Sequence, residues 1–263
     1  MLKKLILVGA LLVGANAAFA SGLCITATLA ALNGNTVACG TVTFDFTSLT
    51  FINANSGFGP NDSTFGGGDG NGGFLTPANI LVTISDGWTI NFSVTGGPGV
   101  WKAAADGSEP TGIGYSTYDI EYNIFIQNPH FFTQVETVGR NLVFNPVGGE
   151  IGVNKDVIYG GPGCDLAPYT GCTDIGAGFD ENHDPGPFTA ATSTFGPSIL
   201  TPYTSGAHVV DFIQLTPLQN GNGNGVVTMD SFENVFSTPE PTTLLLLGSA
   251  LLGLGIVRRK SRA

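Results

Sequence analysis

An all-β fold, an antiparallel β-sandwich of jelly-roll-like type with Gly/Asn-rich loops, is what three features of this 263-residue chain predict. The strong helix formers Lys, Glu, Arg and Met are nearly absent from the middle of the chain, where Gly, Asn, Thr, Ser and Phe are abundant. Apolar and polar residues alternate there with the period of two that buries one face of a strand. The alternating segments are short, about nine in all, and glycine-rich turns separate them, which favours a sandwich over a closed barrel. No helix is expected between the chain's two ends.

The N-terminus is a separate segment. Met1-Leu-Lys3-Lys4 is a basic start, Leu5 to Ala15 is apolar, and Ala18-Phe19-Ala20 is a small-x-small cleavage site. Together they form a secretory signal peptide over residues 1–20, with a mature start at Ser21. Cys24 follows closely, but Leu23 stands where lipid attachment needs a small residue, so lipidation is disfavoured. Residues 21–237 remain as one extracytoplasmic domain, a size suited to a single large β-fold.

Taken in order, Val42, Phe44 and Phe46 alternate with Thr41, Thr43, Asp45 and Thr47, and Leu49 and Phe51 continue after a shift of phase. That pattern is a half-buried strand with a bulge. Ile80, Val82 and Ile84 lead into Asp86-Gly87, and Trp88, Ile90, Phe92 and Val94 lead out, forming a hairpin with one apolar face. Tyr118 to Ile126 is a further strand, and Phe131 to Phe144 holds one or two more. Ile151 to Val153, Val157 to Tyr159, Ala207 to Leu215, Gly225 to Met229 and Phe232 to Phe236 complete the set. Asn53 to Gly73 and the Asn-Gly alternation of Asn220 to Gly225 read as flexible, exposed loops. No internal repeat of useful length appears.

Charge narrows the partners. Between residues 21 and 238 only Lys102, Arg140 and Lys155 are basic, against nineteen acidic residues, a net charge of −16. Nucleic acid and anionic lipid need clustered cations and are disfavoured, so no nucleic acid is expected as a partner. The four cysteines fall into two close pairs, Cys24 with Cys39 and Cys164 with Cys172, read as local disulfides of an oxidising compartment. Each would contribute roughly 2.5 to 3 kcal/mol in the chain-entropy model.

No cofactor is expected, and calcium is the alternative weighed. Asp180, Asn182 and Asp184 match the first ligand positions of an EF-hand loop, but Pro185 replaces the required glycine and Ala191 the terminal glutamate. Solvated loop is the preferred reading, with Asp180 and Asp184 kept as weak metal candidates. Catalysis is not expected: Gly-x-Ser-x-Gly and HExxH are absent, and His130, His183 and His208 lack partners at a recognisable spacing. His208 reads as a hydrogen-bonded structural residue in its strand. Asp119 and Glu121 share a strand face about 7 Å apart, superficially a glycosidase pair, but a solvated acidic face accounts for them. Trp101, Tyr115, Tyr169 and Tyr203 lie in loop-like, Gly/Pro-rich surroundings; core packing or loop anchoring is the preferred reading for each, with stacking on sugars as the weak alternative.

The C-terminus joins three features in a fixed order. Pro239-Glu240-Pro241 forms a rigid, non-helical spacer, since both prolines fix their own φ and push the preceding residues towards extended conformations. Thr242 to Val257 is uncharged over sixteen residues. As a transmembrane helix it would reach roughly 24 Å, slightly short of the roughly 30 Å hydrocarbon core. Arg258, Arg259, Lys260 and Arg262 extend it to the headgroups within the basic tail 258–263 and hold that side in the cytoplasm.

Residues 238–263 in this order closely resemble the PEP-CTERM sorting signal of exopolysaccharide-forming Gram-negative bacteria. The resemblance implies an exosortase, a membrane-embedded cysteine transpeptidase, as processing partner, with the inner membrane as anchor before processing. It also implies release to the cell surface or medium and association with exopolysaccharide. The expected role is structural or adhesive, with a lectin-like module as the alternative and a glycoside hydrolase behind both.

Overall fold

A computed structural model describes residues 22–56, 75–86, 88–96, 99–104, 115–127, 130–145, 149–160, 164, 171–176, 178–183, 187–217, 219–220 and 223–238. The signal peptide, the segment 242–257 and the basic tail lie outside these residues. Gly22–Ser237 forms a compact unit by itself.

In chain order the elements are β1 (Leu23–Thr28), α1 (Leu29–Leu32), β2 (Thr36–Cys39), β3 (Val42–Ser56), a 3₁₀ turn (Pro77–Asn79), β4 (Ile80–Ser85), β5 (Thr89–Val94) and β6 (Trp101–Ala104). There follow β7 (Tyr115–Ile126), β8 (Phe132–Asn145), β9 (Gly149–Tyr159), β10 (Thr173–Gly176), β11 (Phe179–His183) and β12 (Phe188–Thr204). The last are β13 (Gly206–Pro217), β14 (Gln219–Asn220), β15 (Gly223–Asn224), β16 (Val226–Met229) and β17 (Ser231–Ser237).

Two antiparallel sheets share the core. The first runs β1-β4-β5-β17-β8, with β12 on the far side of β8, while β6 and β16 continue β5 and β17 lengthwise. The second runs β2-β3-β7-β13-β9, with β10 and β11 end to end along the free edge of β9. The chain crosses between sheets from β6 to β7, β7 to β8 and β8 to β9, then again from β11 to β12, β12 to β13 and β13 to β16. That interleaves β5-β17-β8-β12 with β7-β13-β9-β10/β11 in the strand order of a jelly roll, with β4, β1, β3 and β2 added alongside.

Alternation decides which side chains face inwards. Ile80, Val82, Ile84, Ile90, Phe92, Phe232 and Phe236 from the first sheet meet Phe44, Phe46, Tyr118, Ile120, Tyr122, Val153, Val209 and Ile213 from the second, all buried. Phe92 stacks on Phe232 at 4.9 Å between ring centroids, and Trp101 meets Tyr118 edge-on at 5.5 Å across the two sheets.

The bulge in β3 falls where the phase shift places it. Pairing with β7 jumps from Asp45–Asn123 to Thr50–Glu121, and the Thr47 amide donates to Asp45 Oδ1 at 2.9 Å inside the bulge. The hairpin of β4 and β5 is also as read, with Asp86 at φ 55° in its turn.

Two local expectations are corrected. Leu29–Leu32 is helical: Leu-Ala-Ala-Leu combines strong helix formers, Thr28 Oγ1 accepts from the Ala31 amide at 3.3 Å, and Leu29 and Leu32 are buried. The Asn-Gly run contributes to two short strands, β14 and β15, which pair with each other.

The two ends of the unit differ. At one end the Asp86 amide donates to the Gly22 carbonyl at 3.1 Å and the Phe236 amide to the Trp88 carbonyl at 2.8 Å, so its first and last residues flank the same β4–β5 turn. Leu23, Phe125, Phe131 and Tyr203 are exposed at this end. At the other end lie the strand termini that flank residues 57–74, 105–114, 146–148 and 184–186.

Close approach between the sheets depends on Gly139 in β8, where an added Cβ would stand 2.3 Å from Phe179 Cζ of β11. Gly139→Val is therefore expected to lower unfolding free energy by about 1–3 kcal/mol, read by chemical denaturation. A variant as stable as the parent would show that the Phe179 ring swings aside freely.

Candidate functional site

Two candidate sites stand apart in this chain: the C-terminal segment that follows β17, and a polar cluster in the centre of the sandwich. β17 leads to the first. Its last residue, Ser237, pairs with Gln134 of β8, and the Ser237 carbonyl accepts from Thr133 Oγ1 at 3.1 Å. Thr238 is the last described residue. Pro239, Glu240, Pro241, Arg258, Arg259, Lys260 and Arg262 lie outside the described residues, as do Ala18, Ala20 and Ser21 of the N-terminal cleavage site.

The second cluster was not singled out in the sequence. Lys155 of β9 and Asp211 of β13 are paired residues in adjacent strands, both fully buried, with Nζ 2.5 Å from Oδ1. Asn234 of β17, in the opposite sheet, donates from Nδ2 to Asp211 Oδ2 at 2.7 Å and to the Tyr122 hydroxyl at 2.9 Å. Burial pushes the Lys155 amine below its ordinary value of 10.5, against the pull of Asp211. Burial also pushes the Asp211 carboxyl above 3.8, against Lys155 and Asn234. Burial and the Asp211 charge hold the Tyr122 hydroxyl well above 10.0. Such a pair gains little net stability from its charges, because desolvation offsets the attraction.

The sequence-predicted residues are placed as follows. Cys24–Cys39 and Cys164–Cys172 are both formed, with Cα atoms 5.7 Å apart in each. Trp101 is corrected: it opens β6, is fully buried, and its indole N–H donates to the Phe92 carbonyl at 3.3 Å, so it is a core residue with no face for a sugar. Tyr203, near the end of β12, is 58% exposed. Tyr115 opens β7, its side chain outside the described residues, and Tyr169 lies outside them entirely. Asp180 sits on β11 opposite Gly152, so its alternation with Asn182 follows the period of a strand rather than of a ligand loop. Asp184 lies outside the described residues. No group of three or more His, Cys, Asp or Glu among the described residues is placed to hold a metal ion. His208 is buried, with Nδ1 2.9 Å from Asn123 Oδ1 and Nε2 3.6 Å from Glu121 Oε2, a structural position between neighbouring strands.

The outer face of the second sheet gathers acids. Burial and Glu121 raise Asp119 above 3.8, burial and Asp180 raise Glu150 above 4.5, and burial and Asp156 raise Asp174 above 3.8. A carboxyl raised on folding adds stability that is fully present below its ordinary value and is lost as pH rises through the higher folded value. Replacing the three by Asn, Gln and Asn should leave the melting temperature near that of the parent at about pH 3 and raise it at about pH 7. A difference independent of pH would show that these acids are not strained by one another.

Comparison with known proteins adds the following. No curated protein matches the chain. Among solved structures it is similar to TmCBM61 in complex with beta-1,4-galactotriose, at 8% identity over 50% of this chain and 80% of that one, with a TM-score of 0.19. So slight an overlap carries no structural argument. The C-terminal end matches a family model: residues 237–260 fit the PEP-CTERM protein-sorting motif, so the chain carries a PEP-CTERM sorting segment.

Proposed function

We propose that this is an exported protein of the cell surface or extracellular matrix, with a structural or adhesive, non-catalytic role in association with exopolysaccharide. Its C-terminus holds it at the inner membrane until an exosortase-type enzyme cuts near Pro239-Glu240-Pro241. The motif match over residues 237–260 carries this reading. Two disulfides in a chain with no free cysteine suit an oxidising compartment outside the cytoplasm. The reading assigns the domain no cofactor.

Its test is the intact mass of the chain from membrane and extracellular fractions of the producing cell. A species starting at Ser21 and ending between Pro239 and Thr242 is expected outside the cell. With Pro239, Glu240 and Pro241 all changed to Ala, the chain is expected to stay in the membrane with Arg262 and Ala263 attached. A parent chain found only with those two residues would be a permanent tail anchor and would overturn the reading.

Exposed Tyr203 favours a second reading, a lectin-like module that stacks sugar on that ring. Saturable binding to isolated exopolysaccharide, weakened about tenfold in Tyr203→Ala, is then expected by titration calorimetry. Equal binding by parent and variant would remove Tyr203 from any glycan site.

A further inference from the structure

We propose that Lys155 and Asn234 become joined by an intramolecular amide bond, with Asp211 carrying the proton, so that β9 of one sheet is covalently stapled to β17 of the other. Nothing in the sorting function calls for such a bond.

Lys155, Asp211 and Asn234 occupy inward positions in strands whose other inward residues are apolar: Val153 and Val157, Val209 and Ile213, Phe232 and Phe236. Their relative exposures are 1%, 0% and 0%. One carboxylate holds both reactants, Lys155 Nζ on Oδ1 at 2.5 Å and Asn234 Nδ2 on Oδ2 at 2.7 Å. The amine and the carboxamide are therefore held on the two oxygens of one carboxylate, and attack requires Nζ to close on Asn234 Cγ within that cluster. A purely structural cluster would satisfy its buried polar atoms, yet Asn234 Oδ1 has no hydrogen-bond partner and Lys155 is held by Asp211 alone among the described residues. That orphaned carbonyl belongs to the carbon under attack.

Burial pushes the amine down and the carboxyl up, which favours passage of an Nζ proton to Asp211 ahead of attack. Once Nζ has given up that proton, its lone pair attacks Asn234 Cγ and a C–N bond forms. Asp211 delivers its proton to Nδ2 as the Cγ–Nδ2 bond breaks, and takes one from the attacking nitrogen. Ammonia leaves and Asp211 ends as a neutral acid. No oxidant, metal or co-reactant enters the balance. Tyr122, whose hydroxyl meets Nδ2 at 2.9 Å, orients the carboxamide for this departure.

The test is a peptide map of the full chain as purified, reduced and alkylated, then cut with a protease that cleaves before Asp, which places Lys155, Asp211 and Asn234 in three separate peptides, 119–155, 211–229 and one beginning at Asp230. The expected map lacks the free 119–155 peptide. It contains a branched species that joins the Lys155 and Asn234 peptides and is lighter than their sum by one ammonia. Quantitative recovery of the free 119–155 peptide, with an unlinked Asn234 peptide, would overturn the proposal. So would a branched species lighter by one water and mapped to Lys155 and Asp211, because the acceptor would then be the acid. Asp211→Ala keeps both reactants and is expected to restore both linear peptides in protein whose near-ultraviolet circular dichroism shows it folded. A folded Asp211→Ala chain that still carries the bond would overturn the role of Asp211. If that variant does not fold, the parent map still decides whether the bond exists.

Discussion

Everything in this domain depends on two sheets burying one face each against the other. Neither sheet has a dry interior without its partner, and large side chains such as Trp101, Phe92, Tyr118 and Tyr122 complete contacts that begin in the opposite layer. Each such side chain contributes roughly 1.5 to 3 kcal/mol when removed from water. The jelly-roll interleaving follows from this need, since a chain that crosses repeatedly between layers ties every strand to the common core. Any polar group at an inward position must then find its partner within the same dry space, as Lys155, Asp211 and Asn234 do.

Strands were legible where alternation was local and long enough to count. β4, β5, β7 and β13 each carry three or more inward apolar residues in strict alternation, and their bounds follow within a few residues. β12 was not legible. Pro197 and Pro202 interrupt it, and its pairing with β8 shifts register between Phe195 and Ser198 and again between Ile199 and Thr204. An edge strand tolerates both prolines because one side makes no ladder, and its mostly exposed residues leave no apolar rhythm to read. Trp101 was misread for a related reason: a strand of four residues between glycine-rich segments is too short to show a period, so burial had to come from the structure.

The two candidate sites differed in legibility for a simple physical reason. The sorting segment is contiguous, so order and spacing identify it without a fold. The core cluster is assembled from three strands separated by 56 and 23 residues, and no spacing in the chain announces it. A trace was present nonetheless. Lysine, aspartate and asparagine each stand in the apolar phase of a clear alternating strand, an arrangement that costs several kcal/mol per group unless the three meet. Phase violations of this kind are worth collecting from any β-rich sequence, because they must resolve one another in space.

The place of β17 has a mechanical meaning. The C-terminal segment continues directly from this strand, which lies inside its sheet, hydrogen-bonded to β5 on one side and β8 on the other. A pull on the C-terminus along the strand axis therefore loads both ladders in shear, so that many hydrogen bonds must give way together rather than one at a time. A domain tethered through such a strand resists extraction far better than one hung from an edge, and drag from a surrounding polymer would be borne by the whole sandwich.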